Sequence, residues 1–404
     1  MTASINMKKL ELILLGLLVF VLPSLETPKI IFWAMYILTF LIRRYIEHGF
    51  SFSKPDGITF SVIALFLVSL LSTFINWPLE KNFSGSFDTL KYSALFLCLY
   101  HGNYTSRQMK FVAQVMILGV LAGLFFGLVE YSSGVTTALS FHSAGGTTQS
   151  SIYLGMAIIT AFGLMTADSD NTFLNAGIMY ISLFLMGVAM LYMGSRGAIL
   201  AILICYILVL LLIRSRKILL TSVALIAAVV ASSYFLIHTY PTNINKPDKR
   251  ERFSVERFQK SDSERLQNWQ IAFKKLSTGN DLAWGIGPKN YSTIDPGELG
   301  IESAYYQRKG KLNHAHNLFL TQWIEQGLMG LAAMFVFFGL IITRLKKCWP
   351  YCKGNKQQWA WVAGLGGLVV PVIAGFFNTP FYQENAMLAM ILMGTMYAET
   401  KKAT

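Results

Sequence analysis

Residues 173–213 read FLNAGIMYISLFLMGVAMLYMGSRGAILAILICYILVLLLI, two apolar runs interrupted only by Gly194-Ser195-Arg196-Gly197. A hydrocarbon core about 30 Å thick is crossed by roughly 20 mostly apolar residues in a helix, which satisfies its own backbone hydrogen bonds there. The stretch is therefore read as two membrane helices joined by a tight, arginine-bearing turn. Comparable windows recur near 10–26, 30–45, 58–76, 84–101, 110–131, 150–167, 217–237, 316–342, 359–377 and 381–398. With 173–193 and 197–213 they make twelve. The expected fold is an all-α integral membrane protein with about twelve transmembrane helices, and a composition of 54% hydrophobic against 14% charged residues agrees.

A net charge of +13 would suit a nucleic-acid binder, but the basic residues fall in short clusters between apolar runs, which is a topology signal. Nucleic-acid partners are excluded as a class. Alternate loops separate by charge: one side collects Lys8, Lys9, Arg43, Arg44, Arg214, Arg216, Arg344 and Lys346, whereas the opposite short loops hold Lys29, Lys81, Lys91 and Arg196. Both termini are then expected on the cytoplasmic side. The run from Leu10 to Pro23 resembles a secretion signal, but residues 22–26 offer no small-x-small cleavage site, so it is read as a retained first span. Cys98, Cys205, Cys348 and Cys352 are too few and too badly placed for a disulfide framework.

The organisation expected is helices 1–9 over 1–237, one long outer loop over 238–315 and helices 10–12 over 316–404. Long loops among minimal turns carry function or are disordered. Within this one, Leu266, Trp269, Phe273 and Leu276 fall on one helical face over 263–276, with Ser263 or Asp262 as cap and Gly279 as stop. Residues 245–260, rich in charge, are expected to be mobile or surface-lying.

Three groups stand where charge is costly or chemically useful. Arg196, between glycines at a span boundary, costs about 2.5 to 3.5 kcal/mol if it lies within the span, so a partner or anionic ligand is expected; a snorkelling interfacial anchor is the plain alternative. Arg265 on the loop helix, one turn before Trp269, offers a planar fork of donors suited to a phosphate or diphosphate, against the alternative of an ordinary surface arginine. His316 heads the spacing His316, Leu320, Trp323, Gly327, Gly330, a stripe ending in small residues suited to close helix packing. A neutral imidazole there can take a proton from a hydroxyl, or can merely bond to backbone. His314 and Asn317 flank it. The outer loops lack paired carboxylates, His-x-x-x-His and any Walker-type phosphate loop, so the chemistry expected uses no metal and no other cofactor, with arginines supplying the positive charge.

His316-Asn317, a nine-residue spacer and Gly327-Leu328-Met329-Gly330, together with Ser195-Arg196-Gly197, Arg265 with Trp269, and Trp284-Gly285-Ile286-Gly287-Pro288, resemble the O-antigen ligase family of the ligase and polymerase superfamily in bacterial inner membranes. The resemblance implies a glycosyltransferase that moves a glycan from undecaprenyl diphosphate to a hydroxyl of the lipid A core at the periplasmic face. It further implies that Arg196 and Arg265 hold the diphosphate and that His316 is the general base. Glu384, in the last span, is a candidate acidic partner. Two rivals stay open: an O-antigen polymerase using a similar donor, and a lipid-linked oligosaccharide flippase or other transporter. A transporter would place its charges at the bilayer midplane, however, whereas these gather on one face.

Overall fold

The computed structural model describes residues 2–49, 55–77, 82–166, 173–239, 255–278, 282–303, 306–307, 310–312 and 314–401, and among these there is no strand. Every one of the twelve apolar windows is a helix: α1 (Thr2–Val21), α2 (Glu26–His48), α3 (Gly57–Ile75), α4 (Asn82–His101), α5 (Ser106–Ser132), α6 (Thr147–Thr166), α7 (Ala176–Met193), α8 (Arg196–Ile213), α9 (Arg216–Thr239), α11 (Leu318–Cys352), α12 (Gln358–Ala374) and α13 (Gln383–Glu399). The additional helix α10 (Val255–Thr278) lies in the long loop. Among the described residues seven helices, α3, α5 to α9 and α11, are long and apolar enough by length and composition to cross a membrane. The chain is an α-helical membrane protein.

Packing sorts these helices into a centre and a rim. Helix α12 packs on α6, α8, α11 and α13, and α13 packs in turn on α4. Almost every residue of α12 and α13 is buried, whereas only 22% of the α8 span and 17% of the α9 span are. Apolar residues left outside in this way face lipid, because hydrocarbon tails solvate Leu and Ile as well as a protein core does. The four cysteines are buried and free.

The bundle has two distinct polar ends. At one, Lys8 donates to the Asn103 carbonyl (2.6 Å), Arg43 to that of Gly102 (3.1 Å) and Arg344 to the Thr400 hydroxyl (3.1 Å). At the other stand Lys29, Ser143, Glu384, Arg196 and His314. The Lys/Arg-rich loops therefore gather on the end opposite the long loop.

That long loop folds over its end of the bundle around a small core of its own, made by Ile271, Ala272 and Leu276 of α10, Ile286, Tyr291 and Ile294, and Leu320 and Ile324 of α11. Three expectations change here. Helix α10 starts at Val255, so Asp262 and Ser263 lie within it rather than at its N-terminus, while 245–254 and Gly279 lie outside the described residues. Its buried face is Asn268, Ile271, Ala272 and Leu276, and Leu266 and Phe273 are exposed. The stripe from His316 to Gly330 is not one helical face, because α11 breaks at Gly327 (φ 68°, ψ −170°).

The break has a clear cause. Gly327 occupies backbone space open essentially to glycine alone, and a Cβ there would sit 2.1 Å from the Ala283 carbonyl oxygen. Residues 282–287, a turn followed by irregular backbone, run against it: Ile286 N–H donates to the Ile324 carbonyl (2.8 Å), Gly287 N–H to that of Glu325 (2.9 Å), and Leu328 N–H back to that of Leu282 (2.9 Å). Gly285 makes the matching approach, since a Cβ there would lie 2.5 Å from the Glu325 carbonyl carbon. The Trp-Gly-Ile-Gly-Pro segment and the Gly-x-x-Gly motif are thus two halves of one backbone crossing. Ser72 at the end of α3 donates to the Trp284 carbonyl (2.7 Å), and Asn76 to that of Gly285 (3.0 Å), which fastens the crossing to the bundle. The short arm Leu318–Gln326 consequently belongs with the loop, and the remaining 25 or so residues of α11 suffice for a span.

Candidate active site

A cavity of about 860 Å³ opens beneath α10 on the loop-bearing end. The first turn of α8 forms one wall with Ser195, Arg196, Gly197 and Ala198, and α10 supplies Asp262, Arg265, Leu266 and Trp269. The lining also includes the hydroxyl-bearing Thr136, Thr137, Ser140, Thr147 and Thr148, a Thr/Ser wall from the α5–α6 loop and the start of α6. Among the described residues, the charged members of the lining are Arg196, Arg265 and Asp262.

The two arginines, 69 positions apart in the chain, meet on one carboxylate oxygen. Arg196 Nη2 lies 3.7 Å from Asp262 Oδ1, and Arg265 Nη1 lies 3.2 Å from the same atom. Helix geometry explains half of this, since Asp262 and Arg265 are one turn apart on α10. The other half comes from the Gly194 turn, in left-handed conformation (φ 71°), which starts α8 with Arg196 as its first residue. Ser195 makes no side-chain cap bond, so the positive end of the α8 dipole adds to the cavity's field. Burial and the neighbouring Arg196 both pull the Arg265 pKa down, while Asp262 raises it.

The histidines stand beside this cavity and are not part of its lining. Asn317 caps the short arm of α11, its Oδ1 accepting the Leu320 N–H at 3.0 Å, and His316 just before it is held in the left-handed region (φ 51°). The His314 and His316 rings lie 4.4 Å apart between centroids, tilted by 54°. Burial, then the charges of His314 and Arg265, push the His316 pKa down to about 3. His316 is therefore a neutral imidazole within the electrostatic reach of Arg265. His314 is likewise pushed down by burial.

Trp269 lines the cavity with its indole N–H buried and unbonded, while Gly327 and Gly330 contribute backbone shape. Glu384 does not join the arginines: it pairs with Lys29, buried at the α2 and α13 starts beside Ser143. Three participants are not visible as such in the sequence pattern. Asp262 has the look of a cap; the Thr/Ser wall has no motif; and Asn378, in the α12–α13 linker, lines the cavity and takes a hydrogen bond from His314 Nε2 (3.2 Å).

Residues 181–335 match the family model described as Wzy_C, O-antigen ligase. The resemblance carried by the motifs stands on that stretch, which runs from α7 into α11 and includes Arg196, Arg265, His316 and the Gly-x-x-Gly crossing. Over that stretch the chain is similar to the O-antigen ligase region, in agreement with the ligase and polymerase superfamily. Asn378 and the Thr/Ser wall lie outside the matched segment. No curated protein matches the chain.

Proposed function

We propose that the protein is an O-antigen ligase: a metal-independent, inverting glycosyltransferase of the bacterial inner membrane that moves a glycan from undecaprenyl diphosphate to the lipid A core. The single observation that carries this reading is the meeting of Arg196 and Arg265 on Asp262 in a cavity whose field reaches the neutral His316. Two guanidiniums match the oxygens of a diphosphate and stabilise it as it leaves. The neutral imidazole takes the proton of the acceptor hydroxyl as its oxygen attacks the anomeric carbon. The bond from that carbon to the diphosphate breaks, its electron pair departing with undecaprenyl diphosphate, and the anomeric centre inverts.

An imidazole with a pKa near 3 is a weak base, and Arg265 is one reason for it. A diphosphate seated on the guanidiniums offsets that positive charge, so the donor itself strengthens the base. The Thr/Ser wall of the same cavity supplies hydroxyls for sugar contacts. The cavity faces the periplasm and both termini face the cytoplasm, as the distribution of Lys and Arg supports.

The deciding experiment supplies purified protein in detergent with an undecaprenyl diphosphate-linked glycan and lipid A core. Glycan-bearing core should form, and His316→Ala should not form it. Joining of repeats only to a second lipid-linked repeat would make the protein a polymerase and end the ligase reading.

A further inference from the structure

We infer that Lys29 is a positioning residue for donor-sugar recognition: its buried ammonium ties the α5–α6 loop to the starts of α2 and α13, and so holds that loop's hydroxyls in the cavity wall. This deepens the proposed function and rests on a sugar diphosphate occupying the cavity.

The tie is made of three oxygens. Lys29 lies in the first turn of α2 and is buried, and an ammonium enclosed at a membrane boundary needs an acceptor for each of its three N–H groups. Its Nζ donates to the Ser143 hydroxyl (2.8 Å), pairs with Glu26 one turn away (2.6 Å) and pairs with the buried Glu384 at the start of α13. Ser143 belongs to the α5–α6 loop. Its hydroxyl donates in turn to Glu26 (3.1 Å), and its backbone N–H donates to the Pro23 carbonyl in the α1–α2 turn (3.2 Å). Three segments remote in the chain therefore meet on one side chain.

From that anchor the loop runs along the cavity. Lining and buried positions alternate: Ala138 and Ser140 line the cavity, whereas Leu139 and Phe141 are buried. Phe141 N–H donates to the Ser150 hydroxyl (2.9 Å), and a Cβ on Gly127 would stand 2.4 Å from the Ser140 carbonyl oxygen, so Ser140 is seated against α5 with Ser143 clamped just beyond it. The start of α6 is fixed from α13 as well: Asn385 Nδ2 donates to Gln149 Oε1 (2.7 Å), and Gln149 Nε2 donates to the Thr379 carbonyl (3.0 Å). Lys29 and Glu384 are not part of the lining, so their influence on a bound substrate passes through the loop.

What the loop presents is chemically uniform. Apart from Ser195, every hydroxyl of the lining comes from this loop or the first turn of α6. The first sugar of a glycan diphosphate is bonded directly to the phosphate, so guanidiniums that grip the diphosphate bring that ring into the same cavity. Hydroxyls both donate and accept, which suits the hydroxyls of a sugar. The arginines then hold the diphosphate and the loop holds the ring, which makes the two affinities separable.

The test uses the full-length protein in detergent and measures two constants. One is the KM of undecaprenyl diphosphate-linked glycan, with whichever acceptor the parent protein uses; the other is the inhibition constant of undecaprenyl diphosphate that carries no sugar. Ser143→Ala removes the hydroxyl and leaves the Lys29–Glu384 pair whole, whereas Lys29→Met combined with Glu384→Leu removes both of those buried charges together, so that neither is left facing the other's absence. Each should raise donor KM by about fivefold to thirtyfold, as the loss of one or two hydrogen bonds to the sugar does, with the inhibition constant held within about twofold because both arginines remain. A donor KM at the parent's value in either variant, or a rise of both constants together, would overturn the proposal; if the double variant fails to fold, Ser143→Ala decides. A parent protein that transfers no glycan removes the proposed function and this inference with it, whereas parental transfer with an unmoved KM removes the positioning role alone.

Discussion

Arginine is buried or half-buried at both ends of this bundle, with opposite outcomes. Arg43 is enclosed, 2% exposed at its side chain, and faces two carboxylates: its Nε lies 2.5 Å from Glu11, itself fully buried, and its Nη1 2.8 Å from Glu47. Tyr104 completes the Glu11 carboxylate at 2.6 Å, and the Gly102 carbonyl takes another Arg43 proton. Arg196 and Arg265 are 44% and 28% exposed, converge on one carboxylate and open onto a large cavity. One cation among two anions is a fastener. Two cations that meet on one aspartate at the wall of a cavity are the arrangement on which the proposed diphosphate site rests, and the contrast lies in access, since the residue type is the same.

The contrast can be broken most forcefully at the base. His316→Ala should reduce transfer by about 10²- to 10⁴-fold, on the order of 3 to 5 kcal/mol in the barrier, while the protein keeps its thermal stability. Gly327→Ala should fail differently: a side chain in that conformation is unfavourable by about 1 to 3 kcal/mol before the contact with Ala283 is counted, so the loop should come loose, seen as faster proteolysis of 255–303. At the fastener, Arg43→Ala leaves Glu11 buried and unmatched, and about 3 to 5 kcal/mol of stability should go, read as a lower unfolding temperature in detergent. Surviving protein would retain donor affinity, which a receptor mutation would not.

Smaller effects sharpen the comparison. Arg265→Lys should be nearly as harmful as Arg265→Ala if the guanidinium fork grips a diphosphate, whereas a mild loss would return Arg265 to the status of a surface charge. Asp262→Asn removes the resident anion from the receptor and should lower donor KM by about two- to threefold, in a salt-dependent manner. EDTA should leave the rate unchanged.

The twelve helices are legible in the sequence because hydropathy is a sum over some twenty residues and survives local exceptions. Arg196, Arg265 and His316 are legible because a charge or an imidazole beside an apolar run calls for an explanation. The remaining participants carry no such mark. Asn378 is a polar residue in a short linker, and the ring that bonds to it, His314, comes from 64 positions away. Asp262 looks like a cap because aspartate at a charge-rich boundary usually is one. Gly327 reads by spacing as a packing glycine, although its dihedral angles, which no spacing reports, are what matter. Glu384 is an evident acidic candidate whose actual cation, Lys29, sits at the far end of the sequence.

The Lys29–Glu384 bond also has a temporal side. These partners are 355 positions apart, so in vectorial synthesis the ammonium reaches the membrane boundary long before its carboxylate is made. Until α13 arrives, the ammonium has Glu26 on its own helix and, once the α5–α6 loop is made, the Ser143 hydroxyl as its partners. The bundle is thus laced by its last helix, which brings the buried carboxylate that an early-made ammonium lacks.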